Sequence, residues 1–95
     1  MSRTVVFSTA AFDSFFHITA YIEENWGQKI ADRFKKQVDK TINIISKQPY
    51  IFKPSTLDSR IRKGVISKQT SFFYEIHDEY IVIVFFWDNR QEPII

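Results

Sequence analysis

Seven consecutive apolar residues, Ile81–Trp87 (IVIVFFW), constrain this chain more than any other segment. The run is short and rich in β-branched and aromatic side chains, which is typical of a strand. Successive side chains of a strand point to opposite faces of its sheet, so a strand with no polar position needs cover on both faces. The sequence therefore predicts an inner strand over about Tyr80–Trp87, packed on both sides.

Two amphipathic segments ahead of this strand predict a pair of helices. In the first, an apolar stripe recurs at steps of three and four residues, and its members are Ala11, Phe15, Ile18 and Ile22. Ser8 or Thr9 can cap the start of this helix. Asn25-Trp26-Gly27 ends it, because glycine adopts a positive φ at little cost.

The second predicted helix spans about Gln28–Lys47, and Pro49 stops it. Its apolar stripe consists of Ile30, Phe34, Val38, Ile42 and Ile45, and its other face is polar. Because only a short glycine turn separates the two helices, they should form an antiparallel hairpin.

Three further strands complete the predicted fold. β-branched and aromatic residues predict strands over Thr4–Phe7, about Arg60–Ile66 and about Ser71–His77, with a tight turn at Asp78-Glu79 before the apolar strand. The order β-α-α-β-β-β predicts an α+β fold in which the helix hairpin packs on one face of a small, mainly antiparallel sheet. Ninety-five residues without a linker or repeat predict a single domain over residues 1–95.

The composition is that of an ordinary globular protein, with 44% hydrophobic and 25% charged residues. Ten phenylalanines are many for so small a core, which indicates either dense aromatic packing or an apolar surface completed by a partner. The chain has no cysteine, no apolar run long enough to span a membrane and no secretory leader, so we expect a cytoplasmic location. A net charge of +2 is too small to indicate nucleic-acid binding by itself.

Basic residues concentrate around the second predicted strand. Lys53, Arg60, Arg62, Lys63 and Lys68 lie there, with Lys47 nearby, against one acid, Asp58. Strand alternation places Arg60 and Arg62 on one face and Lys63 on the other. Arg62 and Lys68 are candidates for binding the phosphates of a nucleic acid. The alternative is a solvated edge strand whose charges prevent edge-to-edge association.

The polar run that follows the apolar strand, Asp88-Asn89-Arg90, is a second candidate site. Polar residues at the end of a rigid strand are frequent functional positions. The Arg90 guanidinium suits a phosphate or a carboxylate, which it can bind bidentately. The alternative is that Arg90 pairs with Asp88 or Glu92 and only closes the strand end.

Histidine and glycine offer little further chemistry. His17, between Asp13 and Tyr21 on the first helix, is expected to be half-buried, and His77 precedes the predicted turn. Neither has the neighbours of a metal site or of a general base. Because neither histidine has such neighbours, we expect no metal. With only two glycines the chain has no phosphate-binding loop, so we expect no cofactor.

Taken in order along the whole chain, these pieces resemble the RelE/ParE toxin superfamily. The residues that carry the resemblance are Phe15, Tyr21-Ile22, Asn25-Trp26, Ala31-Asp32-Arg33-Phe34, Ile61-Arg62-Lys63-Gly64, Phe73-Tyr74-Glu75-Ile76 and Asp88-Asn89-Arg90-Gln91-Glu92-Pro93. In the family a terminal arginine is followed shortly by a proline, and Arg90 and Pro93 match that ending. The resemblance implies a growth-inhibiting toxin of a type II toxin–antitoxin system, with a cognate antitoxin as its partner.

The resemblance implies one of two activities. RelE-like members cut messenger RNA on the ribosome with basic residues and often a C-terminal Tyr or His, whereas ParE-like members are thought to poison DNA gyrase. By resemblance, Arg62 matches a basic residue of the second strand and Arg90 matches the arginine of the terminal strand. In a nuclease these two residues would be catalytic.

Two departures from the RelE-like pattern weaken the nuclease interpretation, and by resemblance the long helix hairpin with Asn25-Trp26-Gly27 is more ParE-like. Ser71 stands where RelE-like and many ParE-like members have an arginine, three residues before Tyr74, and no Tyr or His follows Arg90. The missing arginine would have stabilised charge in the transition state of cleavage. We therefore expect a toxin that binds a macromolecule such as DNA gyrase, and the candidate binding residues are Arg60, Arg62, Lys63, Lys68 and Arg90. The alternatives are a nuclease acting on ribosome-bound mRNA and an inactive member that only binds its antitoxin.

Overall fold

The chain forms two helices and four strands in the order that the sequence predicts. The computed structural model describes residues 2–90, and its strands are β1 (Thr4–Phe7), β2 (Ile61–Val65), β3 (Thr70–Ile76) and β4 (Tyr80–Asp88). The helices are α1 (Thr9–Trp26) and α2 (Gln28–Lys47). The predicted α+β fold is confirmed, and no helix within residues 2–90 is both long and apolar enough to cross a membrane.

The apolar strand β4 lies inside the sheet, as predicted. The strand order is β1-β4-β3-β2. β4 pairs antiparallel with β3, and β3 pairs antiparallel with β2. β1 instead runs parallel to β4, with Thr4–Phe7 opposite Tyr80–Ile83. The sheet is therefore mixed but mainly antiparallel.

The two faces of the sheet differ in their cover. Both helices pack on one face, and the core formed there includes Ile18, Phe34, Val38, Phe72, Tyr74, Ile81, Ile83 and Phe86. On the opposite, outer face, Phe73 stacks on Phe85 with 4.6 Å between ring centroids. Val82, Phe85 and Trp87 are only half-buried there, and no helix within residues 2–90 covers them. The expectation that β4 is covered on both faces is therefore wrong for the outer face.

Two serine hydroxyls complete the edge of β4 where β1 ends. Ser8 caps α1, because its hydroxyl accepts the Ala11 N–H at 3.0 Å while donating to the Val84 carbonyl at 2.6 Å. Further along α1, the Ser14 hydroxyl accepts the Phe86 N–H at 2.9 Å. Buried backbone groups need hydrogen-bond partners, so these bonds fix α1 along the free part of the β4 edge.

A single residue, Gly27, forms the turn between the helices, as predicted. Its φ of 90° lies in a region that residues with a β-carbon rarely adopt. Its N–H donates to the Glu23 carbonyl at 2.9 Å, which satisfies one of the last carbonyls of α1. The short turn returns α2 antiparallel to α1, so both helices share one face of the sheet.

The segment between α2 and β2 is anchored to the sheet at both ends. The Tyr74 hydroxyl donates to the Pro49 carbonyl at 2.7 Å in the protein interior. Further along, the Ser55 N–H donates to the Ile61 carbonyl at 2.6 Å. This segment therefore occupies part of the outer edge of β2 and protects it from pairing with another chain.

We predict that Gly64→Ala destabilises the fold, because a β-carbon at Gly64 would overlap the ring of Phe72. Phe72 is fully buried, so the ring has no free space into which to move. The free energy of unfolding should fall by about 1–3 kcal/mol, measured by urea unfolding. Val65→Ala removes an exposed side chain from the same strand and is the control, with an expected change below about 1 kcal/mol. Equal losses in both variants would contradict this account of Gly64.

Candidate functional site

Arg90 lies just beyond β4 and is held by Asp88. Its Nε donates to Asp88 Oδ1 at 2.9 Å and its Nη2 donates to Oδ2 at 2.8 Å, which makes a bidentate pair. The Arg90 side chain is still 38% exposed, whereas that of Asp88 is 19% exposed. Pairing with Asp88, which was the alternative to a binding role for Arg90, is therefore present. Glu92 and Pro93 lie outside the described residues.

Two aromatic rings of α1 enclose Arg90 from another side. The guanidinium carbon lies 4.7 Å from the ring centroid of Tyr21 and 5.6 Å from that of Trp26. A cation within about 6 Å of an aromatic centroid is attracted by the ring. The two rings meet edge to face, with 5.7 Å between their centroids. We refer to Tyr21, Trp26, Asp88 and Arg90 as the arginine cluster.

Asn89 fixes the backbone on which Arg90 stands. Its N–H donates to the Gln69 carbonyl at 2.7 Å, and its side-chain amide donates to the Lys68 carbonyl at 3.2 Å. The Ser71 hydroxyl donates to Asn89 Oδ1 at 3.1 Å. The end of β4 is thus tied to the connection between β2 and β3, which limits the movement of Arg90.

Both members of the ion pair are charged at neutral pH. The hydrogen bond from Arg90 lowers the pKa of Asp88, and burial acts against it. The same hydrogen bond raises the pKa of Arg90. Since Asp88 engages Nε and Nη2, the Nη1 of Arg90 has no hydrogen-bond partner within residues 2–90. The guanidinium therefore keeps donors for an acceptor on another molecule.

Two grooves meet at Arg90. The hairpin groove encloses about 410 Å³ between the Gly27 turn and the β2–β3 connection, and its lining includes Ile22, Trp26, Ile30, Arg33, Phe34 and Arg90. The strand groove encloses about 840 Å³ between α1 and the end of β4, and its lining includes Asp13, His17, Tyr21, Trp87, Asp88 and Arg90. Large side chains beside grooves are frequent anchors for partner proteins, so the arginine cluster is the candidate site.

The other predicted basic residues lie at both ends and on both faces of β2. Arg60 precedes the strand and binds Asp58 bidentately at 2.9 and 3.1 Å, a hydrogen-bonded pair that lowers the pKa of Asp58. Lys63 lies on the outer face opposite Phe73, and Lys68 is exposed in the turn after β2. Residues that are close in the sequence are thus directed to different surfaces.

Arg62 faces the helix side of the sheet and contacts the segment that precedes β2. Its Nη1 donates to the Phe52 carbonyl at 2.6 Å, and its guanidinium carbon lies 4.8 Å from the ring centroid of Tyr50. It is paired in register with the buried Tyr74, whose pKa is raised by burial. These contacts give Arg62 a structural role in positioning the segment before β2.

Ser71 stands where the sequence resemblance to RelE-like and many ParE-like proteins led us to expect an arginine. It is 1% exposed and lies in register with Val65 on one side and Trp87 on the other. On the same face Phe73 stacks on Phe85, and neither β3 nor β4 contains a Lys or an Arg. The central part of the outer face is therefore apolar.

The histidines do not form a site. His17 is exposed on α1 beside the strand groove, so the expectation that it is half-buried is wrong. His77 stacks on Tyr80 with 4.6 Å between centroids, and its Nε2 lies 3.2 Å from Glu75 Oε1. Within residues 2–90, no three or more acidic or histidine side chains are grouped so as to hold a metal.

Neither Tyr21 nor Trp26 was among the site residues predicted from the sequence. The available signal was a pair of aromatic residues in the last turns of α1, immediately before the glycine turn. That position is compatible with core packing, and Trp26 is in fact 55% exposed. Only the tertiary fold brings this pair to Arg90, which is distant in the sequence.

Comparisons with known proteins agree with this architecture. Residues 5–93 match the family described as the ParE toxin of type II toxin–antitoxin system, parDE. A structure titled as the chromosomal ParDE TA system from P. aeruginosa is similar with a TM-score of 0.78 and 11% identity, over 92% of this chain and 96% of that chain. The YoeB dimer from Staphylococcus aureus is similar with a TM-score of 0.65 and 15% identity, over 90% and 94% of the respective chains. These structural likenesses show the fold alone, and no curated protein sequence matches significantly.

We predict that Asp88→Asn destabilises the protein in a pH-dependent way. The carboxyl pKa is lower in the folded chain, so the ion pair stabilises the fold above the unfolded pKa of about 3.9 and this gain is lost as pH falls through the folded pKa. At pH 7 the variant should be less stable by about 0.5–1 kcal/mol, since solvent screens the partly exposed Arg90. Thermal unfolding at neutral and strongly acidic pH should show this difference shrinking. The control is Asp39→Asn on the exposed face of α2, and a difference for Asp88→Asn that is constant with pH would refute the prediction.

Proposed function

The chain belongs to the ParE toxin family of type II toxin–antitoxin systems, and we propose that it inhibits growth by binding a macromolecular target such as DNA gyrase rather than by cutting RNA. Its contact with that target is made by the arginine cluster. Its activity is held in check by a cognate antitoxin that binds the folded toxin.

The observation that carries this proposal is the apolar outer face of β3 and β4. Cleavage of RNA needs positive groups placed where negative charge develops in the transition state. At the expected position the chain has Ser71, which is buried and donates its hydrogen bond to Asn89. The second candidate cation, Arg62, lies on the helix side of the sheet, where the Phe52 carbonyl and the Tyr50 ring engage it. Lys63 is the one Lys or Arg that β2, β3 and β4 place on the outer face. The lack of a second cation beside Lys63 disfavours a nuclease site on this face.

Arg90 has the properties of a binding anchor. Asp88, Tyr21 and Trp26 hold its guanidinium in one place, so little conformational entropy is lost when a partner binds it. It remains partly exposed at the meeting point of two grooves. Arginine and aromatic residues are enriched among the residues that dominate binding energies at protein interfaces.

Exposed aromatic rings support a protein partner. The ten phenylalanines are partly explained by the core, but Phe12 is 50% exposed and Phe16 is 63% exposed on α1. Their rings stack with 6.4 Å between centroids, which makes a continuous apolar strip. One similar structure is titled as a ParDE toxin–antitoxin system, which is consistent with an antitoxin as the partner here.

Induction of the chain without its antitoxin tests the proposed activity. Gyrase-dependent DNA cleavage should increase in these cells, and primer extension on messenger RNA should show no new cleavage sites. New cuts in ribosome-bound mRNA would instead establish the nuclease. Normal growth without the antitoxin, at a confirmed protein level, would identify an inactive antitoxin-binding member.

We predict that Arg90→Ala abolishes most of the growth inhibition, because an anchor of this kind contributes about 2 kcal/mol or more to binding. Arg90→Lys should recover only part of it, since lysine keeps the charge but lacks the planar donors. The loss of the ion pair and ring contacts should lower the free energy of unfolding by only about 1–2 kcal/mol. Growth is compared at equal soluble protein levels, with thermal unfolding of each variant.

Lys63→Ala and Lys68→Ala are the matched controls for Arg90→Ala. Both remove an amine near β2, and neither residue belongs to an ion pair within residues 2–90. Both were candidate binding residues in the sequence, but neither belongs to the arginine cluster, so we expect both variants to keep growth inhibition. If Arg90→Ala inhibited growth as fully as the wild type, or if both lysine variants lost growth inhibition, the arginine cluster would be rejected as the target-binding site.

A further inference from the structure

The strand groove lies between one face of α1 and the end of β4. Asp13, His17 and Tyr21 follow one another at four-residue steps, so they line the same side of the helix. The end of β4 contributes the other wall, which includes Phe85, Trp87 and Asp88. The Ser14 hydroxyl, which also lines the groove, accepts the Phe86 N–H at 2.9 Å and holds α1 beside β4. The groove is thus a formed feature of the fold.

The charge of the strand groove differs from that of the hairpin groove. The hairpin groove is lined by two arginines and, within residues 2–90, by no Asp or Glu. The strand groove is lined by two carboxylates, those of Asp13 and Asp88, and by the cation Arg90. Asp88 and Arg90 neutralise each other, so with His17 uncharged the remaining charge is that of Asp13. Asp13 is exposed and takes part in none of the ion pairs of the described residues.

Aromatic rings lie beside this carboxylate in the strand groove. Tyr21 is 40% exposed, and Phe85 and Trp87 are half-buried. The long stem of a Lys or Arg side chain packs well on apolar surface, and its charged head is attracted by aromatic rings. A carboxylate at the same place adds a charge-assisted hydrogen bond. The combination therefore favours a ligand that offers a cation on a long side chain.

We propose that the strand groove binds a basic segment of the toxin's target, in which a Lys or Arg side chain pairs with Asp13 and lies against the aromatic rings. This inference rests on the proposed function, since it names the surface and the chemistry by which the target is recognised. A nucleic acid fits less well, because its phosphates would meet the carboxylate of Asp13.

Asp13 and Arg90 then act on different groups of the same segment. The Nη1 of Arg90 donates to an acceptor of the segment, either a carboxylate or a backbone carbonyl. Asp13 receives the cation. A protein that lacks a cation at this position would bury the carboxylate of Asp13 without a partner, which weakens its binding. Asp13 thus selects among the proteins that Arg90 alone would bind.

The test is the affinity of the chain for purified DNA gyrase, measured by biolayer interferometry. Asp13→Lys should raise the Kd about tenfold or more, because it places like charges together in the complex. Asp13→Glu keeps the charge and should stay within about threefold of the wild-type value. Asp39→Lys is the matched control, with the same change of charge as Asp13→Lys at an exposed position of α2 that lines neither groove. Its Kd should also stay within about threefold. Thermal unfolding establishes that each variant is folded.

Cross-linking identifies the bound segment. A photoreactive phenylalanine analogue replaces His17, which is exposed in the groove, and mass spectrometry locates its cross-link to gyrase. The cross-linked segment should contain a Lys or Arg whose replacement by Glu restores tight binding to Asp13→Lys. A segment without Lys or Arg would overturn this inference, as would a cross-link to the antitoxin but not to gyrase when each is offered separately.

The affinities separate this inference from the proposed function. If wild-type chain binds gyrase and Asp13→Lys binds as tightly as Asp39→Lys, the inference is overturned while gyrase remains the target. If the wild-type chain does not bind gyrase, the proposed target is removed, and this inference with it.

Discussion

The rest of the structure depends on the packing of aromatic rings around Phe86. Its ring is 5.7 Å from those of Phe7 and Phe15 and 6.1 Å from that of Phe72, measured between centroids. These contacts join β1, α1 and β3 around the inner strand. Because packed aromatic rings resist displacement, α1 has a fixed position along β4. Asp88 and Arg90 follow closely in the chain, so the same packing sets the distance from Arg90 to the aromatic rings of α1.

Local signals explain why the helices were predictable to their ends. Ser8 and Gly27 act through bonds to near neighbours in the chain, and both occupy the cap positions assigned from the sequence. The apolar run of β4 predicted an inner strand, because apolar side chains are usually buried. It could not predict what covers each face, since the position of the helices depends on the one-residue turn between them. The exposure of the outer face was therefore not predictable from the sequence pattern.

The candidate site was predictable only in part. Arg90 was identified from its position after a rigid strand, whereas Tyr21 and Trp26 come from another element and meet it only in the folded chain. The basic residues around β2 formed one group in the sequence, but strand alternation and the preceding loop direct them apart. Arg62 shows the physical reason: its nearest acceptor is a backbone carbonyl of a loop whose path the sequence does not specify.

The ion pair between Asp88 and Arg90 does not contradict a binding role for Arg90. A bidentate pair uses two of the three guanidinium nitrogens as donors, here Nε and Nη2, and leaves Nη1 facing away from the carboxylate. The pair also removes rotamer freedom from a long side chain before any partner arrives. A partner with its own carboxylate or phosphate would therefore gain a positioned donor without the full cost of ordering it. The ion pair with Asp88 at the end of β4 thus holds Arg90 in position to bind a partner. A structural role and a binding role for Arg90 are therefore compatible with the same geometry.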